Sequence, residues 1–128
     1  MNVRKHLSAS GLFKIAYARF EKIKDIRADN QKVSLADALM SAFAMFSLKD
    51  PSLLAFEERR ATDGNLKRLY GIKTIPCDTQ MRAIADEVAP EELRPLYKDV
   101  FRQLQRGKVM EKLVFMEGCY LLSLDGTG

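Results

Sequence analysis

SLADALMSAFAMFSLKDPSLLAFEERR, residues 34–60, decides the fold class. Leu35, Leu39, Ala42, Phe43 and Phe46 recur at steps of three and four, the period of one helical face. Ala38, Met40, Ala44 and Met45 widen that face, so this helix is expected to be the core of the domain. Its Met and Phe residues read as packing groups rather than as a metal or cofactor box. Ser34 can cap the helix start, with Asp37 three residues later as a short capping-box partner. A further helix is expected from KDPS, with Asp50 as N-cap, Pro51 in the first turn, and Leu53, Leu54 and Phe56 facing inward. EERR at 57–60 reads as its exposed end, and TDGN at 62–65 breaks the chain.

Helical periodicity continues on both sides. Over residues 10–27, Leu12, Phe13, Ala16, Phe20, Ile23 and Ile26 form one apolar stripe, and ADNQ at 28–31 has turn composition. Toward the C-terminus, Ala89-Pro90 opens a helix with Glu91 and Glu92 in its first turn, favourable for the helix dipole. Leu93, Leu96, Tyr97, Val100, Phe101 and Leu104 are its stripe, Pro95 is tolerated near its start, and QRGK at 105–108 ends it. Residues 109–115 read as a short helix or an extended segment, and Glu117-Gly118 as a turn. Residues 119–124 are the one convincing strand.

The chain has 128 residues, 47% of them hydrophobic and 30% charged, a globular composition with enough length for a core. No apolar run approaches the roughly 20 residues that span a bilayer, and a soluble, cytoplasmic protein is expected. Cys77 and Cys119 form no C-x-x-C pair and read as free thiols, with a disulfide or a zinc site as the alternatives. The only histidine, His6, falls in a terminus expected to fray, which argues against a His-based catalytic centre. The net charge of +4 is uneven. Residues 1–32 carry eight Lys/Arg against three Asp/Glu, +5, whereas residues 33–63 carry three against five, −2. A basic first helix can contact phosphates through Lys14, Arg19, Lys22, Lys24 and Arg27. The alternative is an ordinary solvated face.

The middle of the chain has the outline of a helix-turn-helix. A short helix over residues 65–70 ends at Gly71, suited to a left-handed cap. Residues 72–77 connect it to a helix over 79–88 that Asp78 would cap, with Met81, Ile84, Ala85 and Val88 inward. The exposed early positions of that helix are Thr79, Gln80, Arg82 and Ala83, and Lys73 lies nearby. In such a motif these positions reach base edges, Gln pairing with adenine and Arg with guanine. The connection is longer than the usual turn, and a packed helical hairpin gives the same pattern.

The chain ends LLSLDGTG, an apolar run that delivers Asp125. Asp-Gly is a strong hairpin signal, but no second strand follows it. The other reading is a strand of a larger mixed sheet with an acid at its C-terminal end, where open α/β sheets place chemistry. Joined by other carboxylates, such an acid could hold divalent ions.

These stretches together, SLADALMSAFAMFSLKDPSLLAFEERR, LYGIKTIPCDTQMRAIADEV, ELRPLYKDVFRQLQRGK and LLSLDGTG, resemble the N-terminal part of bacterial insertion-sequence transposases of the DDE type. The resemblance covers residues 20–128. It implies a mainly α fold, a multi-helix N-terminal domain with a helix-turn-helix-like pair, followed by one strand that would begin a ribonuclease H-like α/β domain. It divides the chain into a helical DNA-binding domain, residues 1–108, and a stub of the catalytic domain, residues 109–128. It implies that Asp125 takes the place of the first catalytic carboxylate, followed by Gly-Thr as in the family. The second Asp and the Glu of the triad have no counterpart here.

The implied partner is double-stranded DNA at the transposon terminal repeats, and a homodimer fits the pairing of two DNA ends. Magnesium or manganese would bind at Asp125 only in the full-length parent, and no cofactor is expected for this chain alone. Two-metal chemistry needs several carboxylates converging on ions ~3.5–4 Å apart, so this chain by itself is not expected to cut or join DNA. Two alternatives stand beside the DNA-binding reading: a helical interaction or dimerisation module, and a truncated transposase remnant without activity.

Overall fold

The computed structural model describes residues 7–126. His6, and Thr127 and Gly128 of the DGTG stretch, lie outside the described residues. The described chain is mainly helical, with a small antiparallel pair of strands near its C-terminal end. Among the described residues, no helix is long and apolar enough to cross a membrane.

Helix α1, Ala9–Phe20, starts at Ser8, whose hydroxyl accepts the Gly11 N–H. It ends seven residues before the expected boundary at Arg27. The cause is local: the Asp25 carboxylate accepts both the backbone N–H and the guanidinium of Arg27, an alternative to helical bonding. Ile26 therefore leaves the predicted stripe and is exposed.

Helix α2, Leu35–Ser47, is the central element, and residues 35–41 are buried without interruption. Ser34 caps it as expected, its Oγ accepting the Asp37 N–H. The reciprocal half of the capping box is absent, because the Asp37 carboxylate is turned into the protein. The buried Ser41 hydroxyl donates to the Asp37 carbonyl one turn earlier, which satisfies it inside the core. Phe46, expected on the apolar face, is exposed, although Ala44, Met45 and Leu48 around it pack on the core.

Helix α3, Leu53–Thr62, is capped by Ser52 rather than by Asp50. Asp50 instead takes a two-pronged contact from the Arg59 guanidinium, at 2.7–3.0 Å, and so ties the α2–α3 turn to α3. Phe56 is completely buried. Helix α4, Asn65–Arg68, is a single turn that buries Leu66. Gly71 follows in the left-handed region at φ 71°, where a side chain would be strained.

Helix α5, Asp78–Asp86, begins at Cys77, so Asp78 is its first residue and not its cap. The Gln80 carbonyl accepts the Cys77 N–H, and Glu57 on α3 accepts the Asp78 N–H. Met81 and Ile84 are its buried residues. Residues Pro90–Leu93 form a 3₁₀ turn ahead of helix α6, Arg94–Arg106. Pro95 has no N–H to continue an α ladder backward, which accounts for the tighter turn where one continuous helix was expected.

Helix α1 packs on α2 and α6, and α5 packs on α2 and α3. Phe13 stacks on Tyr70 at 4.4 Å and meets Phe43 edge-on at 5.9 Å. After a second 3₁₀ turn, Met110–Leu113, strand β1, Val114–Phe115, pairs antiparallel with β2, Cys119–Tyr120. The turn residues Glu117 and Gly118 both have positive φ, as a primed hairpin turn requires. The expected strand over 119–124 thus keeps regular pairing only at its first two residues. Its partner lies upstream, where an extended segment was one of two readings.

Candidate nucleic-acid interface

The predicted contact residues fall into three groups. Lys14, Lys22 and Lys24 are exposed, as are Thr79, Gln80 and Arg82 on the outer face of α5 and the Lys73 side chain. Arg19 and Arg27 are half-buried and engaged. The Arg19 Nε donates to Asp99 on α6 at 2.6 Å, which fastens α1 to α6. Arg27 reaches both Asp25 oxygens and the Val33 carbonyl, so its first task is to fix the loop after α1. Asp125, the third group, is exposed, and the described residues contain no cluster of three or more His, Cys, Asp or Glu side chains able to hold a metal ion.

The structure brings two of the predicted sets together. Residues 27–33 lie alongside α5, and the groove between them has a volume of about 380 Å³. Arg27, Asn30, Gln31 and Lys32 line one wall, and Gln80, Ala83 and Glu87 the other. Gln80 commits its carbonyl to capping, which leaves its amide N–H donors for a ligand. Thr79 turns its N–H and its hydroxyl toward Asp78, at 2.6 and 3.1 Å. These bonds, the backbone one foremost, hold the Asp78 carboxyl below the usual carboxylate range.

Asn30 and Gln31 belong to the stretch 28–31 with turn composition, yet with the adjoining Lys32 they form a wall of this groove. Lys32 counts in the +5 charge of residues 1–32, whereas the uncharged Asn30 and Gln31 carry no such signal.

A second feature supports α5 from behind. The Asp37 carboxylate is buried and accepts three donors: the Tyr17 hydroxyl at 2.9 Å, and the N–H groups of Lys73 and Thr74 at 3.0 Å. It thereby pins the connection that leads into α5. The same contact and, more strongly, burial push the Tyr17 hydroxyl up to about 12. A lone acid inside the apolar run 35–48 was the available hint of this role.

Comparison with protein-family models, characterised proteins and solved structures finds no match to this chain.

Proposed function

We propose that this chain is a DNA-recognising helical region of a DDE-type transposase, engaging double-stranded DNA at the element's terminal repeats. The observation that carries the reading is the juxtaposition of the basic, amide-rich loop 27–33 with the exposed face of α5. Helix α5 acts as the recognition helix. The helix expected over 65–70 as its partner is only the single turn α4, so in this reading the helix-turn-helix partner of α5 is instead α3, which packs against it. Arg82, Thr79 and the Gln80 amide read base edges. Lys32 and the exposed Lys22 and Lys24 meet phosphates. Arg19 and Arg27 act indirectly, by holding α1 and the loop in place. The strand pair and Asp125 belong to the edge of a ribonuclease H-like catalytic domain, with Asp125 its first metal-binding carboxylate.

Selection from a pool of randomised duplexes tests this reading. A binding protein that reads bases enriches one sequence over successive rounds, and Arg82→Ala relaxes the consensus at one position. Recovery of an unenriched pool by the folded wild-type chain would remove the base-reading assignment.

A second reading, a helical interaction module, is favoured by one separate observation: the wide apolar groove between α1 and α6.

A further inference from the structure

Helix α6 sorts its side chains by chemistry around its circumference. Leu96 is buried, and Val100 and Leu104 follow it at four-residue steps, half-buried. Beside them Tyr97 and Phe101, one turn apart, are 72% and 46% exposed. Next come Arg94, Lys98, Arg102 and Arg106, again at four-residue steps and all exposed. Asp99 is the only acid in the helix, and Arg19 on α1 already holds it at 2.6 Å. Arg102 reaches it at 3.6 Å, while Arg94, Lys98 and Arg106 form no ion pair among the described residues.

With Leu12, Phe13 and Phe43, the apolar and aromatic side of α6 lines an open groove of about 670 Å³ that is almost wholly apolar. The lining includes one cation, Lys98, and no acid; Glu91 and Glu92, in the turn before α6, are not part of it.

We infer that this groove receives an amphipathic helix of a partner protein, its apolar face inward and its flanks carrying Glu or Asp side chains that meet Arg94 and Lys98. Three properties of the groove select that occupant. The floor offers almost no donor or acceptor, so the polar edges of a nucleobase would be buried there unpaired, whereas aliphatic and aromatic side chains fit. The lining residues all lie within α1, α2 and α6, so no strand edge is open to pair an extended segment. The occupant must satisfy its own backbone groups, as a helix does. The rim is cationic, which attracts a carboxylate-flanked helix and repels a lysine-flanked one. Two copies of this chain meeting groove to groove would set these cations against each other. The groove shares no residue with loop 27–33 or α5, so the inference sharpens the interaction reading and stands or falls apart from DNA recognition.

Fluorescence anisotropy of three labelled synthetic peptides against the full chain tests it. Each has about 15 residues, enough to form a helix on binding. The first places Leu at three- and four-residue spacing with Glu on both flanks. The second replaces every Glu by Lys, and the third keeps the composition of the first but breaks the leucine spacing. Wild type is expected to bind the first at least tenfold tighter than either of the others. Arg94→Glu combined with Lys98→Glu changes two exposed positions and is expected to keep the helical circular-dichroism signal while reversing the preference toward the lysine peptide. Phe101→Ser is expected to weaken the glutamate peptide at least fivefold, which localises it to the groove. Should Phe101→Ser lose its helical signal, the charge-reversed variant decides alone.

A folded wild type that leaves the glutamate peptide unbound, equal affinity for all three peptides, or a charge-reversed variant that keeps the wild-type preference would each overturn the inference. So would a folded Phe101→Ser that binds as wild type does. A wild type that sediments as a dimer and leaves the peptide unbound would give the groove to a second copy. Displacement of the bound peptide by oligothymidylate would give it to nucleic acid.

Discussion

The Tyr17 hydroxyl donates to the buried Asp37 carboxylate across 2.9 Å, joining α1 to α2 at the point where Asp37 also receives the N–H groups of Lys73 and Thr74. One carboxylate thus organises three separated stretches of chain, the last of which leads into α5.

Asp37→Asn is therefore not a conservative change. An asparagine offers one acceptor oxygen and sets an N–H₂ group against one of the backbone donors. A cost of about 1–3 kcal/mol is expected, the penalty for leaving a buried polar group unsatisfied. Tyr17→Phe, which removes one donor and leaves two, is expected to cost about 0.5–1.5 kcal/mol. Urea denaturation of the two variants measures both, and equal losses would show that the Lys73 and Thr74 contacts carry little.

The same pair gives the alkaline behaviour. The neutral phenol is favoured in the folded state, with Tyr17 raised to about 12 from an ordinary value of about 10. The stability tied to it is fully present below pH ~10 and is lost as pH rises toward ~12. Stability of wild type is expected to fall more steeply than that of Tyr17→Phe across that window, measured by denaturation at a series of pH values.

On the acid side, the Arg19 guanidinium holds the Asp99 carboxyl below the usual carboxylate range, and Arg27 does the same for Asp25. A depressed folded value places this stability above the ordinary carboxylate pKa of about 4. It is lost as pH falls through the folded values. Asp99→Asn is expected to flatten the acid limb of the stability curve while leaving helix content at pH 7 unchanged by circular dichroism.

Phe56 is the largest fully buried side chain. Phe56→Ala should cost about 3–5 kcal/mol through lost burial and the cavity left behind. A loss below 1 kcal/mol in chemical denaturation would mean that α3 is not locked to the core, and α5 would lose its packing partner.

The helical core was legible because α2 repeats its apolar residues at helical spacing, and caps such as Ser34 satisfy a local rule that needs no tertiary information. Boundaries set by side chains acting over short range were not legible. The end of α1 depends on Arg27 reaching Asp25, and the start of α3 passes to Ser52 once Asp50 is taken by Arg59. The site was half legible. Exposure of Gln80 and Arg82 follows from their positions beside Met81 and Ile84. The placement of residues 27–33 against α5 is a long-range packing fact with no local signature. For the same reason basic residues could be counted but not sorted, and Arg19 proved to be a structural clamp.

Whether loop 27–33 and α5 form a DNA-binding surface, as proposed, is tested most directly by a salt titration. Fluorescence anisotropy of a labelled duplex is measured against wild type, Lys32→Ala and Arg82→Ala at several salt concentrations. Binding should weaken linearly with log salt, and Lys32→Ala should reduce the slope by about 0.9, the value for one lost phosphate contact. Arg82→Ala should cost about 1–3 kcal/mol on the preferred sequence and less on random DNA. A folded wild-type chain that leaves the duplex unbound at low salt, or variants indistinguishable from it, would contradict the claim.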